Sequence, residues 1–336
     1  IAAQIAFDQS PSPKLVAVVQ VLDSDDDGVF SPTDIDKAIA GCYGVSYVSD
    51  FCPVNLHGYL DKFLAYNLNA CDPFTKKEQL AYFGMPIGTT IGDSLTEGSL
   101  VYTATHTMQV FGNSPAHGTR VMVSPTTARK KITLSDNSVV TVTLDGSFVA
   151  AAIAARNAGQ PDNASTILHT NIYGFSYVET FDDTENKIIG GASVIWFTPN
   201  GTGIYRIEED ITVDTTASHY NLILAMKTKH DSVRVMRKYI DTSLVGFTPD
   251  SMASGVAFVS AGILTGLVDQ VAKGIIAPFQ DANGRIREPM PSDVQVIRDR
   301  NDPTLYWFRY LIFTRSPVKR LYGTFSVNEA TLIGSL

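Results

Sequence analysis

Apolar positions along this chain fall into blocks whose spacing switches between the strand period and the helix period. Lys14 to Leu22, KLVAVVQVL, is β-branched and almost continuously apolar, the pattern of a strand covered on both faces. Next comes Ser31-Pro32-Thr33-Asp34. There a hydroxyl can cap, Pro takes the first helical position and a carboxylate sits near the positive end of the dipole, so a helix is expected to about Gly41. VSYVSDF predicts a second strand. Residues 55–69 predict an amphipathic helix with Leu56, Leu60 and Phe63 on one face, and 82–87 a short strand. A helix over 95–111 and a strand over 120–124 follow. KITLSD and SVVTVTL then flank a hairpin turn at Asp136-Asn137, and an Ala-rich helix over 147–159 ends at Gly159.

Beyond the polar stretch PDNAST the pattern resumes with a short helix over 184–189 and a strand over 192–197. The turn Pro199-Asn200-Gly201 leads into 203–208. Around His230 the texture changes. A helix over 231–244 is rich in basic residues, and a second helix over 251–273 repeats Met252, Val256, Val259, Ile263, Leu267 and Val271 every three to four positions before Gly274. Strands are expected at 294–300, 305–314 and 322–327, with Asn301-Asp302-Pro303 turning between the first two. The fold class that follows is α/β plus α+β. An α/β layered body spans 1–228, with a subdivision near 130–165, and a smaller C-terminal domain of two helices and antiparallel strands spans 229–336. The first 20 residues are expected to pack with the C-terminal part.

A chain of 336 residues is long enough for more than one core. Its 44% apolar content, against 18% charged, supports a filled interior. Charge is uneven: residues 1–228 hold 13 basic against 24 acidic side chains, net −11, while 229–336 hold 13 against 10, net +3. That balance is far from a nucleic-acid footprint, and no nucleic-acid partner is expected. No run of about 18 uninterrupted apolar residues and no secretory leader is visible, so membrane insertion is not expected. Cys42, Cys52 and Cys71 form an odd set without C-x-x-C spacing, which argues for free thiols.

Several short strings carry candidate chemistry. Asp23, Asp25, Asp27 and Asp34, with Gly28 between them, match a calcium-loop spacing, in which alternating carboxylates converge on one hard cation. An acidic turn whose last residues cap a helix is the alternative. Asp23, His117 and Ser251 occur in the chain order of a subtilisin-like hydrolase, but the context departs from that family. A strand follows His117 where a helix is needed, and Pro249-Asp250 precedes Ser251 where Gly-Thr is needed, so capping by Asp250 or Ser251 accounts better for the string. The histidines show no ligand spacing, no phosphate loop is present, and no cofactor is expected. Arg298, Arg300, Arg309, Arg315, Lys319 and Arg320 crowd the last strands, either as strand-edge solubility charges or as a partner-facing patch.

In order along the chain, AFDQSPSPKLVAVV, RVMVSP, the Ala-rich helix before Gly159, TNIYGFSYVE, GGASVIWF, VRVMRKYIDTSLVGF, VQVIRDRNDPTLYWFRYLIF and SPVKRLYGTFSV resemble segments of the contractile tail sheath proteins of bacteriophages. The resemblance is densest after residue 229. It implies a structural subunit without enzymatic activity that polymerises with itself around a tail tube protein, in a virion tail assembled in the host cytoplasm. It also implies that the C-terminal domain, with the six basic residues above, faces the tube and neighbouring subunits. The Pro-Gly-Val-Tyr segment with which such sheaths begin is absent, and Ile1 opens directly into IAAQIAF. A missing N-terminal arm is therefore the expectation. Because sheaths lend terminal strands to neighbours, the chain without that arm is expected to stand as a monomer.

Overall fold

The computed structural model describes residues 1–22, 30–43, 48–71, 77–109, 119–160, 165–215, 221–246, 252–302 and 304–314. Helix α1 (Ala2–Phe7) buries Ile5 and packs on α5 (Gly146–Ala158), so the first turn of the chain belongs to the body. Lys14 to Leu22, expected as a covered strand, runs as irregular backbone with Leu15, Val18, Val19 and Leu22 exposed. Among the described residues no strand pairs with it. Its β-branched side chains satisfy the local preference for extended backbone, but the exposed side chains lack a covering face among the described residues, and Val21 alone is placed against a core.

Helix α2 (Pro32–Tyr43) starts as its sequence dictates. Asp34 N–H donates to Ser31 Oγ at 3.2 Å, and Ser31 N–H donates back to Asp34 Oδ2 at 2.9 Å, a reciprocal cap. β1 (Asp50–Phe51) and α3 (Leu60–Ala70) follow, the latter entered through a 3₁₀ turn at His57–Tyr59. β2 (Leu80–Phe83) lies between β1 and β3 (Arg120–Met122) in a parallel sheet, and a parallel bridge from Val123 to Ile195 extends it. All four β2 residues are buried. Leu80 and Tyr82 point into one core with α5, while Ala81 and Phe83 point into a second core with Ile35 of α2 and Phe63 and Leu64 of α3. The period of two along one strand thus feeds two opposite cores.

The expected helix over 95–111 is shorter, with α4 (Leu100–Tyr102) widening into a π-helical turn at Thr103–Met108. β4 (Thr127–Thr133) and β5 (Val139–Asp145) form the expected hairpin, turned at Asn137 with φ +63°. Asp145 then caps α5 by accepting from Ser147 N–H at 2.8 Å. The small side chains of α5 let it lie close on the sheet. At the crossing, a Cβ on Gly84 would sit 2.1 Å from Gly146 carbonyl carbon, so neither position has room for a side chain. The rest of the body consists of small antiparallel pairings around α6 (Asp183–Gly191): β6 (Asn171–Ile172), β7 (Tyr177–Val178), β8 (Phe197–Pro199) and β9 (Tyr205–Ile207). Asp182 and Glu185 close α6 with a capping box.

Helix α7 (Ile223–Ser243) begins eight residues before the expected start and passes without a break through residues 228 and 229. Ile223 and Met226 at its first turns join the α5 core, and Met236, Tyr239 and Ile240 near its end join a third core. That third core is closed by α8 (Met252–Ala272), the antiparallel hairpin β10 (Phe279–Gln280) and β11 (Ile286–Arg287), and the antiparallel ribbon β12 (Val294–Arg298) and β13 (Tyr306–Tyr310). Gly266 permits the α7–α8 approach, since a Cβ there would lie 2.9 Å from Met236 Sδ. The molecule is therefore a mixed helix and sheet structure with several small antiparallel sheets. The expected strand over 322–327 lies outside the described residues.

Candidate assembly surface

The β12–β13 ribbon pairs Val294 with Tyr310, Gln295 with Arg309, Val296 with Phe308, Ile297 with Trp307, and Arg298 with Tyr306. Alternation sends Val294, Val296 and Tyr310 into the third core. Gln295, Ile297, Trp307 and Arg309 emerge on the other face, where Ile297 is 55% and Trp307 49% exposed. Leu305 and Leu311 add further exposed apolar area at the flanks of that face, while Phe308, opposite Val296 in the inward register, is partly exposed on the other. Clustered apolar exposure of this kind marks a contact surface more often than a solvated one. Trp307 is held in place, its indole N–H donating to Asp299 Oδ2 at 3.3 Å. Asp299 in turn accepts from the backbone N–H groups of Asp302 and Asn301, and these bonds hold its carboxyl below the usual range.

Of the six basic residues expected here, three are described and they do not share one face. Arg309 stands outward beside Trp307 and opposite Gln295. Arg298 belongs to the inward register, half-buried, with its guanidinium carbon 5.8 Å from the Tyr306 ring centre. Arg300 is exposed at the turn. Arg315, Lys319 and Arg320 lie outside the described residues. Charge counting drew attention to the arginines and missed Ile297 and Trp307, although the alternation of apolar residues on both faces of VQVIR and YWFRY was the available signal.

Two further features frame the ribbon. Arg287 fastens β11 to its base through paired bonds to Asp293 at 2.6 and 2.7 Å, which hold the Asp293 carboxyl below its ordinary value. Helix α8 is by length and composition apolar enough to cross a membrane. It buries Ile263, Leu267 and Gln270 against its neighbours and leaves Ala257, Ala261 and Val268 exposed.

The other candidate chemistry distributes differently. Asp23, Asp25, Asp27, His117 and Ser251 lie outside the described residues. Asp34, the last calcium-loop candidate, is buried and uses its Oδ2 for the α2 cap, accepting from the Ser31 hydroxyl at 2.7 Å as well as from its N–H. Among the described residues no group of three His, Cys, Asp or Glu side chains converges as a metal site would. A largely apolar cleft of about 280 Å³ lies between Leu56, Leu60, Met85, Pro86 and Tyr102, with His57 at its wall. His57 Nε2 is 3.2 Å from Asp145 Oδ2. The serine bound to that carboxylate, Ser147, donates to Asp145 and accepts from Asn55 N–H at 3.2 Å. The hydroxyl is thus a cap partner of the aspartate and is not handed to the imidazole as a nucleophile would be. Burial pushes the neighbouring Cys52 thiol far up, and Asp145 adds to the effect.

No protein-family model matches the sequence, and no characterised protein matches it. Solved structures do match by shape. The chain superposes on a subunit of the anti-feeding prophage baseplate with a TM-score of 0.59 at 11% identity, over 91% of this chain and 74% of that one. It superposes on the anti-feeding prophage helical sheath in its contracted state with a TM-score of 0.57 at 10% identity, over 91% and 76%. A sheath tail protein from Listeria innocua matches with a TM-score of 0.54 at 12% identity, over 85% of this chain and 57% of that one. The chain is thus similar in fold to contractile sheath proteins over about nine-tenths of its length.

Proposed function

We propose that this chain is a structural subunit of a contractile tail sheath, polymerising with copies of itself around a tail tube protein and contracting to drive the tube through a host envelope. The observation that carries the reading is the match over 91% of the chain to a helical sheath in its contracted state. The exposed ribbon face supports it, because Ile297, Trp307 and Arg309 form an apolar and basic surface that a neighbouring copy or the tube would cover. In this reading residues 229–336 face inward and carry assembly contacts, residues 1–228 form the acidic outer body, and assembly takes place in the cytoplasm of a bacterial host. No catalytic residue, cofactor, nucleic acid or membrane takes part. Energy for contraction would reside in the difference between two packings of nearly rigid subunits.

The test is co-expression of the complete gene product with its tube protein, comparing the native chain with a variant carrying Arg300→Glu and Arg309→Glu. Assembly on tubes should fall sharply in the variant. Unchanged decoration of tubes would remove the basic residues from the contact.

A further inference from the structure

Helix α7 joins apolar cores toward both ends, and several polar bonds fasten the stretch between them. Lys227 Nζ donates to Asn157 carbonyl at 3.2 Å, and Asn157 Nδ2 donates to Asp50 Oδ1 at 2.8 Å, so the first turns of the helix rest on β1 through α5. Nearly three turns on, Arg237 forks onto Glu78, with Nη1 to Oε2 at 3.1 Å. On the opposite side the Ser232 hydroxyl donates to Gln270 Oε1 at 2.6 Å, clasping α7 to α8. Between these points lies a void of about 30 Å³, lined by Ser49, Asp50, Glu78, Asn157, His230 and Asp231. His230 is 6% exposed at its edge. Its charged neighbours are Lys229 and Arg234 on its own helix and Glu78 from the approach to β2; Asp50 and Lys227 line the same void. Arg237 and, from β13, Tyr310 complete the set around Glu78.

We infer that the middle of α7 is an acid-sensitive seat, in which buried His230 stays uncharged while the helix lies on the body and takes up a proton when it lifts, so that opening is increasingly favoured as pH falls below about 6. The packing explains the direction. An imidazolium at this position would be stripped of water beside Lys229, with Glu78, Asp50 and Asp231 along the void and Arg234 already paired to Asp231, and burial, with Lys229 next, holds the folded-state pKa down at about 3. Once α7 lifts, the ring regains water and titrates near 6.5, and the opened state takes up the proton that the seated state refuses. Glu78 contributes only below the ordinary carboxylate range: burial alone would raise its pKa, but the bonds and charge of Arg237 together with a backbone bond hold it down. Asp50 works in the opposite sense, since burial raises its pKa and its protonation favours the seated helix. A comparison with His230→Gln isolates the imidazole from both.

Hydrogen exchange at pH 7.5 and pH 5.0, corrected for intrinsic rates, tests the seat. Protection of the α7 amides should fall about 30-fold more in the native chain than in His230→Gln across that interval, while the α5 amides behave alike in both. Equal behaviour of the two proteins over α7 would overturn the inference. Should the variant fail to fold, imidazole-carbon NMR of the native protein decides. A His230 resonance that stays neutral at pH 5 in the folded state supports the seat, and ordinary titration refutes it. The inference rests on the packing of this chain alone, so its outcome is separable from that of the sheath reading.

Discussion

Replacing Trp307 by Ser tests the outward face of the ribbon. The indole stands 49% exposed on the outward face of β13, and a tryptophan side chain offers on the order of 250 Å² for burial, so roughly 120 Å² remains to be covered by a partner. At about 25 cal/mol per Å² this corresponds to as much as ~3 kcal/mol for each contact the ring makes, or about two orders of magnitude in the association constant. Ordering and desolvation costs reduce the realised figure, which sets an expected increase of at least about tenfold in the concentration needed for polymerisation. The half of the ring that the subunit itself covers is lost as well, so stability of the isolated subunit should fall by as much as ~3 kcal/mol on the same arithmetic, and polymerisation is compared where the urea curve shows the variant folded. The assay is pelleting and light scattering across a protein dilution series, with urea unfolding of the subunit alongside. An unchanged threshold for polymerisation in a folded variant would refute the assignment of this face to assembly.

Three further outcomes follow from the packing. Leu267→Ala, at a fully buried position of the third core, should cost about 2–5 kcal/mol in urea unfolding; a loss below about 1 kcal/mol would mean that the α7–α8 interface is not packed as described. Arg237→Met strands the Glu78 carboxylate at a site where it is only 9% exposed, and should cost about 3 kcal/mol at pH 7, largely recovered when Glu78→Met is added. Because the folded-state pKa of Glu78 is depressed, its contribution is present above the ordinary carboxylate pKa and is lost as pH falls through the folded value. The penalty of Arg237→Met should therefore shrink in strong acid, and a pH-independent penalty would contradict the ion pair. Asp145→Ala removes the α5 cap from Ser147 N–H and should cost about 1 kcal/mol, measurable as a lower urea midpoint.

Elements with complete local signals were legible in the sequence. The Ser31 to Asp34 start of α2, the Asp136-Asn137 hairpin, the Ala-rich α5 and the periodic α8 each carry cap, turn and period together, and each forms close to its expected bounds. Lys14 to Leu22 shows the opposite case, because apolar β-branched composition records a preference for extended backbone and leaves open what will cover it. The early start of α7 escaped because Ile223, Leu224, Ala225 and Met226 form a short continuous apolar run, which reads equally as strand or buried helix. The outward Ile297 and Trp307 were hidden by the opposite ambiguity. Both faces of the ribbon are apolar, so pattern alone does not say which one meets the core, and only the packing of Val294 and Tyr310 on α8 decides it.

Electron microscopy of the complete gene product, expressed with its tube protein, tests the sheath reading most directly. The account predicts hollow, transversely striated tubes built of helically stacked rings. Discrete globular particles at every protein concentration would contradict it.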